Sequence, residues 1–528
     1  MKKNHSFAVS VVVLSAFMSL QVSAQRAFLV NPIHESSSSA SSTSDPSPFG
    51  ILNNSVANLH AIGGAIWVGP YLNHSTNNGA AWFVPQTDSL FGTINRLFSI
   101  DIEENVIVAG IGKNDASGGQ SVQTASGFLI SEDGGETFSY RFPQLDDPSD
   151  NKQIYGVSEL DALPVIVPQQ SPPFDVDYDA HTQSIWVAGW ASGVRKSLDY
   201  GRTWSRVVLP PDNLDFITPE NPYSFSVEPQ RGSAGSLNHM GFSVLVDQQG
   251  TVWAGTAGGL NRSTDGGTAW QRFKTDGSSS SITGNWIISL EEQTSTVPST
   301  IWAASWNTGT SGGAAGQYGV SIIKEGGSEI EQTLLGEKVY DFAFDGNRVY
   351  VAGDNGLFIS DNGGRSWNSI SRFKDVQTGQ SLRPGASIFS VEADQGNLWV
   401  GTADGLLLSQ DGGQTWVLFR VNVPLHPETE TNAVPDVDTF AYPNPFSKGE
   451  DQFVRIKFES ASATTAYIRL FDFGMNVVRT LSGSVTEGVN ELTWDGTNND
   501  GVTVPNAVYF YEVQTGNRIN RGKILVIE

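Results

Sequence analysis

Short apolar runs that end on small residues recur along most of the chain. They read Ile66-Trp67-Val68-Gly69, Val106-Ile107-Val108-Ala109-Gly110, Ile185-Trp186-Val187-Ala188-Gly189, Val252-Trp253-Ala254-Gly255, Ile301-Trp302-Ala303-Ala304, Val349-Tyr350-Val351-Ala352-Gly353 and Leu398-Trp399-Val400-Gly401. Each is too short for a helix, is rich in β-branched and aromatic residues, and is bounded by Gly turns, so each predicts a buried strand. No stretch shows sustained helical periodicity. A pattern of strands copied this often predicts one supersecondary unit repeated many times.

A polar phrase follows most of these strands, Ser-x-Asp-x-Gly-x-Thr-aromatic. Full copies run Ser131 to Phe138, Ser197 to Trp204 and Ser409 to Trp416, and weaker ones end at Trp270, Trp367 and Trp82. A short carboxylate or amide can accept backbone N–H bonds from the turn it opens, and the Gly supplies positive φ. The Thr and aromatic re-enter a strand, where the ring packs beneath the next unit. Asp133, Asp199, Asp265, Asn362 and Asp411 are therefore read as turn staples rather than as metal ligands or catalysts. The strand beginning at Ile301 lacks the phrase, and Lys324-Glu325-Gly326-Gly327 stands in its place. These motifs resemble the Asp-box, or bacterial neuraminidase repeat, of sialidases, xyloglucanases, sortilin-type receptors and photosystem assembly factors. The resemblance, with seven strand phrases, implies a seven-bladed β-propeller over residues 50–420.

The C-terminal end alternates differently. Phe453 to Phe458 and Ala466 to Asp472 read as half-buried strands. With Tyr442-Pro443-Asn444-Pro445-Phe446, Trp494-Asp495-Gly496, Asn499-Asp500-Gly501 and the closing Gly522-Lys523-Ile524-Leu525-Val526, residues 439–528 resemble the Ig-like sorting domain, of the flagellar hook-cap type, used in type IX secretion. The expected fold class is thus all-β, a seven-bladed β-propeller followed by a small Ig-like β-sandwich. Pro- and acid-rich residues 421–438 read as a linker.

The N-terminal end adds a destination. Lys2 and Lys3 precede an apolar stretch from Phe7 to Leu20, and Val22-Ser23-Ala24 suits cleavage, so residues 1–24 are expected to be a signal peptide. Residues 25–49, rich in Ser, read as a flexible spacer. No later segment is apolar enough to span a membrane. The resemblance implies the type IX machinery as a partner and a secreted or surface location reached through the periplasm.

Charge and cysteine content narrow the chemistry. The chain carries 55 acidic and 31 basic residues, a balance that opposes nucleic-acid binding. It has no cysteine, which removes disulfides, thiolate catalysis and thiolate metal sites together. No metal or cofactor is expected from these motifs.

Function is expected at the axial end opposite the Ser-x-Asp turns. There the loop aromatics and amides Trp190, Trp306, Asn307 and Tyr71 are candidates for stacking on a glycan or meeting a protein ligand. A sialidase needs a cluster of Arg for the substrate carboxylate, and the Arg-Ile-Pro or Arg-Leu-Pro phrase is replaced by Arg96-Leu97-Phe98. A xyloglucanase-like hydrolase needs two facing carboxylates, roughly 6.5–9.5 Å apart if inverting, for which Asp115, Asp354 and Asp404 are the weak candidates. The favoured reading is an exported, non-catalytic binding propeller. The alternative is an extracellular glycoside hydrolase.

Overall fold

The computed structural model describes residues 51–527 except 52, 86–94, 118–119, 229–235, 308–316, 377–380, 384, 421–437, 443 and 448–452. The segments expected as signal peptide, spacer and linker therefore lie outside the described residues, apart from Asp438. The chain forms two compact units, one spanning Val56–Arg420 and one containing Val421–Glu528.

The first unit is a seven-bladed β-propeller. Its innermost strands are Leu59–Ile62, Arg96–Glu103, Asp175–Asp179, Gly241–Val246, Trp286–Gln293, Val339–Asp345 and Ile388–Asp394, numbered here as blades 1 to 7. Each contacts the next, and the first contacts the last, so the ring closes. Blades 2, 3, 5, 6 and 7 are four-stranded antiparallel meanders. Blade 1 has three strands, with Phe83 bridging His74 in the outer place. Blade 4 gains a fifth strand, Phe216–Ile217, beside Trp270–Phe273.

Among the described residues no sheet mixes strands from the two ends of the unit. The seam is held instead by single contacts. Val56 N donates to Thr402 O at 2.9 Å, Gly64 N donates to Asp394 Oδ2 at 2.6 Å, and Trp82 packs edge-on against Trp399 and Phe419.

The Ser-x-Asp hairpins explain the periodicity. In blade 2, Ser131 Oγ bonds Asp133 Oδ1 (2.7 Å), Gly135 N donates to Ser131 Oγ (2.8 Å), and the Thr137 N–H and hydroxyl donate to Asp133 (2.9 and 2.6 Å). The Asp199 and Asp411 turns repeat this set, and the Asp265, Asn362 and Asn77 turns keep its core. Asp411 is held down to about 2 by the Thr415 hydroxyl first, with the Thr415 and Gln414 amides and Ser409 assisting.

In three of these turns the second Gly is a packing requirement. A Cβ on Gly135 would lie 2.4 Å from Trp67, on Gly267 2.6 Å from Trp186, and on Gly364 2.6 Å from Trp302. These three turns thus roof the second-strand Trp of the preceding blade. In the boxless blade 5, Glu325–Gly327 forms a 3-10 turn whose Gly327 packs on Phe273, on the outer strand of blade 4.

Segments beyond the regular blade strands form β-structure of their own. Residues 112–117 and 120–125 continue the second and third strands of blade 2 as a paired arm. Lys152–Tyr155, Ser158–Ala162 and Ser226–Val227 form a small sheet between blades 3 and 4. Its Tyr155, Leu160, Ala162 and Val227 join one core with Trp186 and Trp270.

The second unit is a two-sheet sandwich. One sheet is built from Thr439–Tyr442, Val454–Ser460 and Gly488–Trp494. The other holds Phe446–Ser447, Arg518–Ile527, Ala507–Thr515, Thr464–Phe471 and Val477–Val485 in that order. Phe446, Ile456, Ile468, Trp494, Tyr511 and Ile524 close a core of its own.

Candidate functional site

In an up-and-down blade the innermost strand begins at the axial end away from the Ser-x-Asp hairpins. At that end five innermost strands carry a bulge, marked by register breaks around Phe98, Phe242, Ile288, Tyr340 and Phe389. In blade 3, Phe174 holds the same place, its N–H bonded to Ala188 O opposite Asp175. A bulge re-aims a side chain. Four of the five bulged residues, Phe98, Phe242, Tyr340 and Phe389, are aromatic, and the fifth is Ile288.

The rim forms two aromatic arcs. Phe174, Phe242 and Trp286 run across blades 3 to 5 with ring centroids 6.2 and 5.3 Å apart. Trp306, Tyr340 and Phe389 run across blades 5 to 7, each pair 5.5 Å apart and edge-to-face. Phe98, Phe174, Trp286 and Tyr340 remain half-buried.

The predicted stacking residues lie within or beneath this rim. Trp190 is 5% exposed and packs on Phe242 and Trp286. Trp306 is 9% exposed, its Nε1 donates to Val339 O, and Lys338 Nζ sits 4.2 Å over its ring. Tyr71 is buried in blade 1, and Asn307 is half-buried beside Trp306. The half-open Phe98, Phe174, Trp286 and Tyr340 were not singled out in the sequence, because a bulge has no sequence signature as plain as a turn.

The predicted carboxylates have internal partners. Asp404 is buried against Arg420, 2.7 Å away, and also accepts the Arg383 N–H. Asp354 accepts the Tyr340 hydroxyl at 2.6 Å. Asp115 faces Lys113 at 3.2 Å on the blade 2 arm. The three belong to blades 7, 6 and 2, and no direct contact joins them among the described residues.

Below the rim lies an acidic channel that sequence reasoning did not find. Opposite the second-strand aromatic of each blade, or Val108 in blade 2, the innermost strand places, in ring order, His60, Asp101, Asp177, Leu245, Glu291, Ala343 and Glu392. Two residues nearer the rim come Asp175 and Asp341, with Ser99, Ser243, Ser289 and Ser390 in the equivalent places.

Several of these side chains lash one blade to the next. Tyr178 N donates to Asp101, Val244 N to Asp175, Val246 N to Asp177 and Val391 N to Asp341, at 2.7–3.1 Å. Ser99 and Ser243 donate to Pro173 O and Ile287 O. Innermost strands of neighbouring blades do not share a ladder, so these bonds satisfy backbone groups that would otherwise stay orphaned.

The channel shifts its own acids. Burial, then the nearby charge of Asp101, pushes Asp175 up to about 8, against the bonds from Val244 and Val176. Burial pushes Asp341 up to about 7. Burial raises Glu291, Glu392 and Asp177, with the charge of Asp341 adding to it at Glu291, of Glu291 at Glu392 and of Asp101 at Asp177, while burial holds His60 down. Asp101 and Glu392 stay 21% and 25% exposed to the channel, so water screens part of this repulsion. Among the described residues no group of three His, Asp or Glu is arranged to hold a metal ion.

Fold and site together define an all-β chain that joins a seven-bladed propeller with an aromatic-rimmed, acid-lined axis to an Ig-like module. Residues 444–518 match the FlgD Ig-like domain family. No curated protein matches the chain. Among solved structures it is similar to PorZ, a surface component of the type-IX secretion system of Porphyromonas gingivalis. Identity is 14%, the TM-score is 0.42, and the match covers 90% of this chain and 66% of PorZ, about two thirds of that protein's length. It is also similar to YCF48 from Cyanidioschyzon merolae (17% identity, TM-score 0.36, 68% of this chain and 92% of that one). An ancestral GH74 enzyme gives 13% identity and a TM-score of 0.30, over 89% of this chain and 78% of that one. No helix among the described residues is long and apolar enough to cross a membrane.

Proposed function

We propose that this chain is an exported, non-catalytic binding protein. Its propeller meets a ligand at the aromatic rim of the axial channel, and its terminal Ig-like module directs type IX secretion to the cell surface or medium. The observation that carries the non-catalytic reading is the state of the carboxylates. Asp404 is consumed by Arg420, Asp354 by Tyr340 and Asp115 by Lys113, while Asp101, Asp175, Asp177 and Asp341 serve the backbone of adjoining blades.

The rim also bears on the kind of ligand. With Trp190 and Trp306 buried, the half-open rim consists of Phe98, Phe174, Trp286 and Tyr340. Aromatic rings above carboxylates suit a protein segment with apolar and basic side chains. The match of residues 444–518 to the FlgD Ig-like family supports the module's part in this reading.

One observation favours a glycoside hydrolase. Among the described residues Glu291 and Glu392 accept no backbone hydrogen bond from a neighbouring blade like those of the aspartates, and burial raises the pKa of both, as a general acid requires. The full chain incubated with xyloglucan, mixed-linkage glucan and sialoside panels should release no reducing sugar and no sialic acid. Release that is abolished by Glu291→Gln or Asp354→Asn would replace the binding reading with the hydrolase.

A further inference from the structure

The axial channel brings six carboxylates onto two adjacent levels of a closed ring: Asp101 from blade 2, Asp175 and Asp177 from blade 3, Glu291 from blade 5, Asp341 from blade 6 and Glu392 from blade 7. Blade 4 contributes Leu245 and Ser243 at these levels, and blade 1 contributes His60. His60 Nδ1 lies 3.9 Å from Asp101 and 4.0 Å from Glu392. No Lys or Arg is paired with any of the six among the described residues. At the lower end Asp394 adds a further acid next to Glu392 and holds Gly64 across the seam.

We propose that this channel is a proton-loaded hub: with its acids protonated the ring is at its tightest, and ionisation of Asp175, Asp177, Glu291, Asp341 and Glu392 in alkaline medium drives the innermost strands apart. The lashings survive protonation, since a carboxylic acid still accepts an N–H bond through its carbonyl oxygen. Full ionisation keeps those bonds but sets like charges against each other across the axis.

The direction in pH follows from linkage. An unfolded carboxylate titrates near 4, whereas Asp341 and Asp175 titrate at about 7 and about 8. Between these values the folded ring holds protons that the unfolded chain has released. Stability conferred by the protonated acids is complete below the unfolded value and is lost as pH rises through the folded one. Surface carboxylates have finished titrating before this window. The buried histidines His74 and His239, with lowered values, act with the opposite sign and only up to their unfolded value near 6.5. The interval from pH 7.0 to 8.5 therefore isolates the channel.

The test is thermal unfolding of the full chain followed by intrinsic tryptophan fluorescence, since of its 14 tryptophans only Trp494 lies after residue 420. At constant ionic strength the propeller midpoint should fall by roughly 3–5 °C from pH 7.0 to 8.5. The double substitution Glu291→Gln with Glu392→Gln should flatten that slope and raise the midpoint at pH 8.5. Glu329→Gln, on an exposed outer strand beside Lys324, should leave the slope unchanged. A parent midpoint that is flat or rises over this interval overturns the proposal without recourse to any variant. So does a folded double variant that keeps the full slope.

Discussion

At the scale of single residues, one contact recurs at three blade junctions: a Gly without a side chain lies against a buried indole. Trp302 is fully buried and meets Gly364 of the next blade and, edge-on, Trp367 at 6.3 Å. Trp302→Ala should cost about 3–5 kcal/mol, as large aromatic truncations in a core do. Gly364→Ala adds one carbon to the other side of the contact, at φ +85° and 2.6 Å from the ring, and should cost about 1–3 kcal/mol. Chemical denaturation of each variant checks both values. A loss under about 0.5 kcal/mol for Gly364→Ala would mean that the turn does not roof the indole.

The same scale shows why the staples were legible and the stacking residues were not. Ser, Asp, Gly and Thr within eight positions of one another make their bonds locally, so sequence spacing alone implies them. Whether Trp190 is open depends on Phe242 and Trp286, which stand on the two following blades. Asp404 looks free in sequence because Arg420, its partner, enters from the outer strand sixteen residues later.

At the scale of elements, the insert between blades 2 and 3 is pinned by an ion cluster. Asp146 sits between Arg195 and Arg206, with the Arg206 contact at 2.7 Å, and also accepts the Val165 N–H at 2.8 Å. Although burial pushes Asp146 up, the two guanidinium groups and the amide hold it down to about 2. Its contribution is therefore present above the ordinary value near 4 and lost as pH falls toward 2. Asp146→Ala leaves two buried cations without a shared partner and should cost about 3–5 kcal/mol. Hydrogen exchange should then show residues 152–162 losing protection before the blade 3 strands Ser184–Gly189 and Gly193–Ser197. Loss of protection throughout blade 3 at the same rate would contradict this pinning.

Elements also set the limit of what pattern could reveal. Short apolar runs placed the strands, and their number, seven, counted the blades even where blade 5 carries a 3-10 turn in place of the Ser-x-Asp phrase. A polar position on an innermost strand, however, reads in sequence as a solvated face. Only closure of the ring turns Asp101, Asp177, Glu291 and Glu392 toward one another. The nearest sequence signal was the Asp175-Val176-Asp177 pair, two acids on one side of a strand with no basic neighbour.

At the scale of the whole molecule, the proposed function gives ligand binding to the propeller and secretion to the terminal module. Each unit closes its own hydrophobic core, so residues 438–528 produced alone should fold cooperatively, with Trp494 at 0% exposure as the reporter. The pairing of Arg518–Ile527 with both Ala507–Thr515 and Phe446–Ser447 places the final strand inside a sheet, and its loss should unfold the module while leaving the propeller intact.

The most direct test is fractionation of the native host expressing the chain with residues 439–528 deleted. The account predicts a folded, protease-resistant propeller retained in the periplasm, with the full chain at the surface or in the medium. A truncated propeller that still reaches the surface or the medium would contradict it.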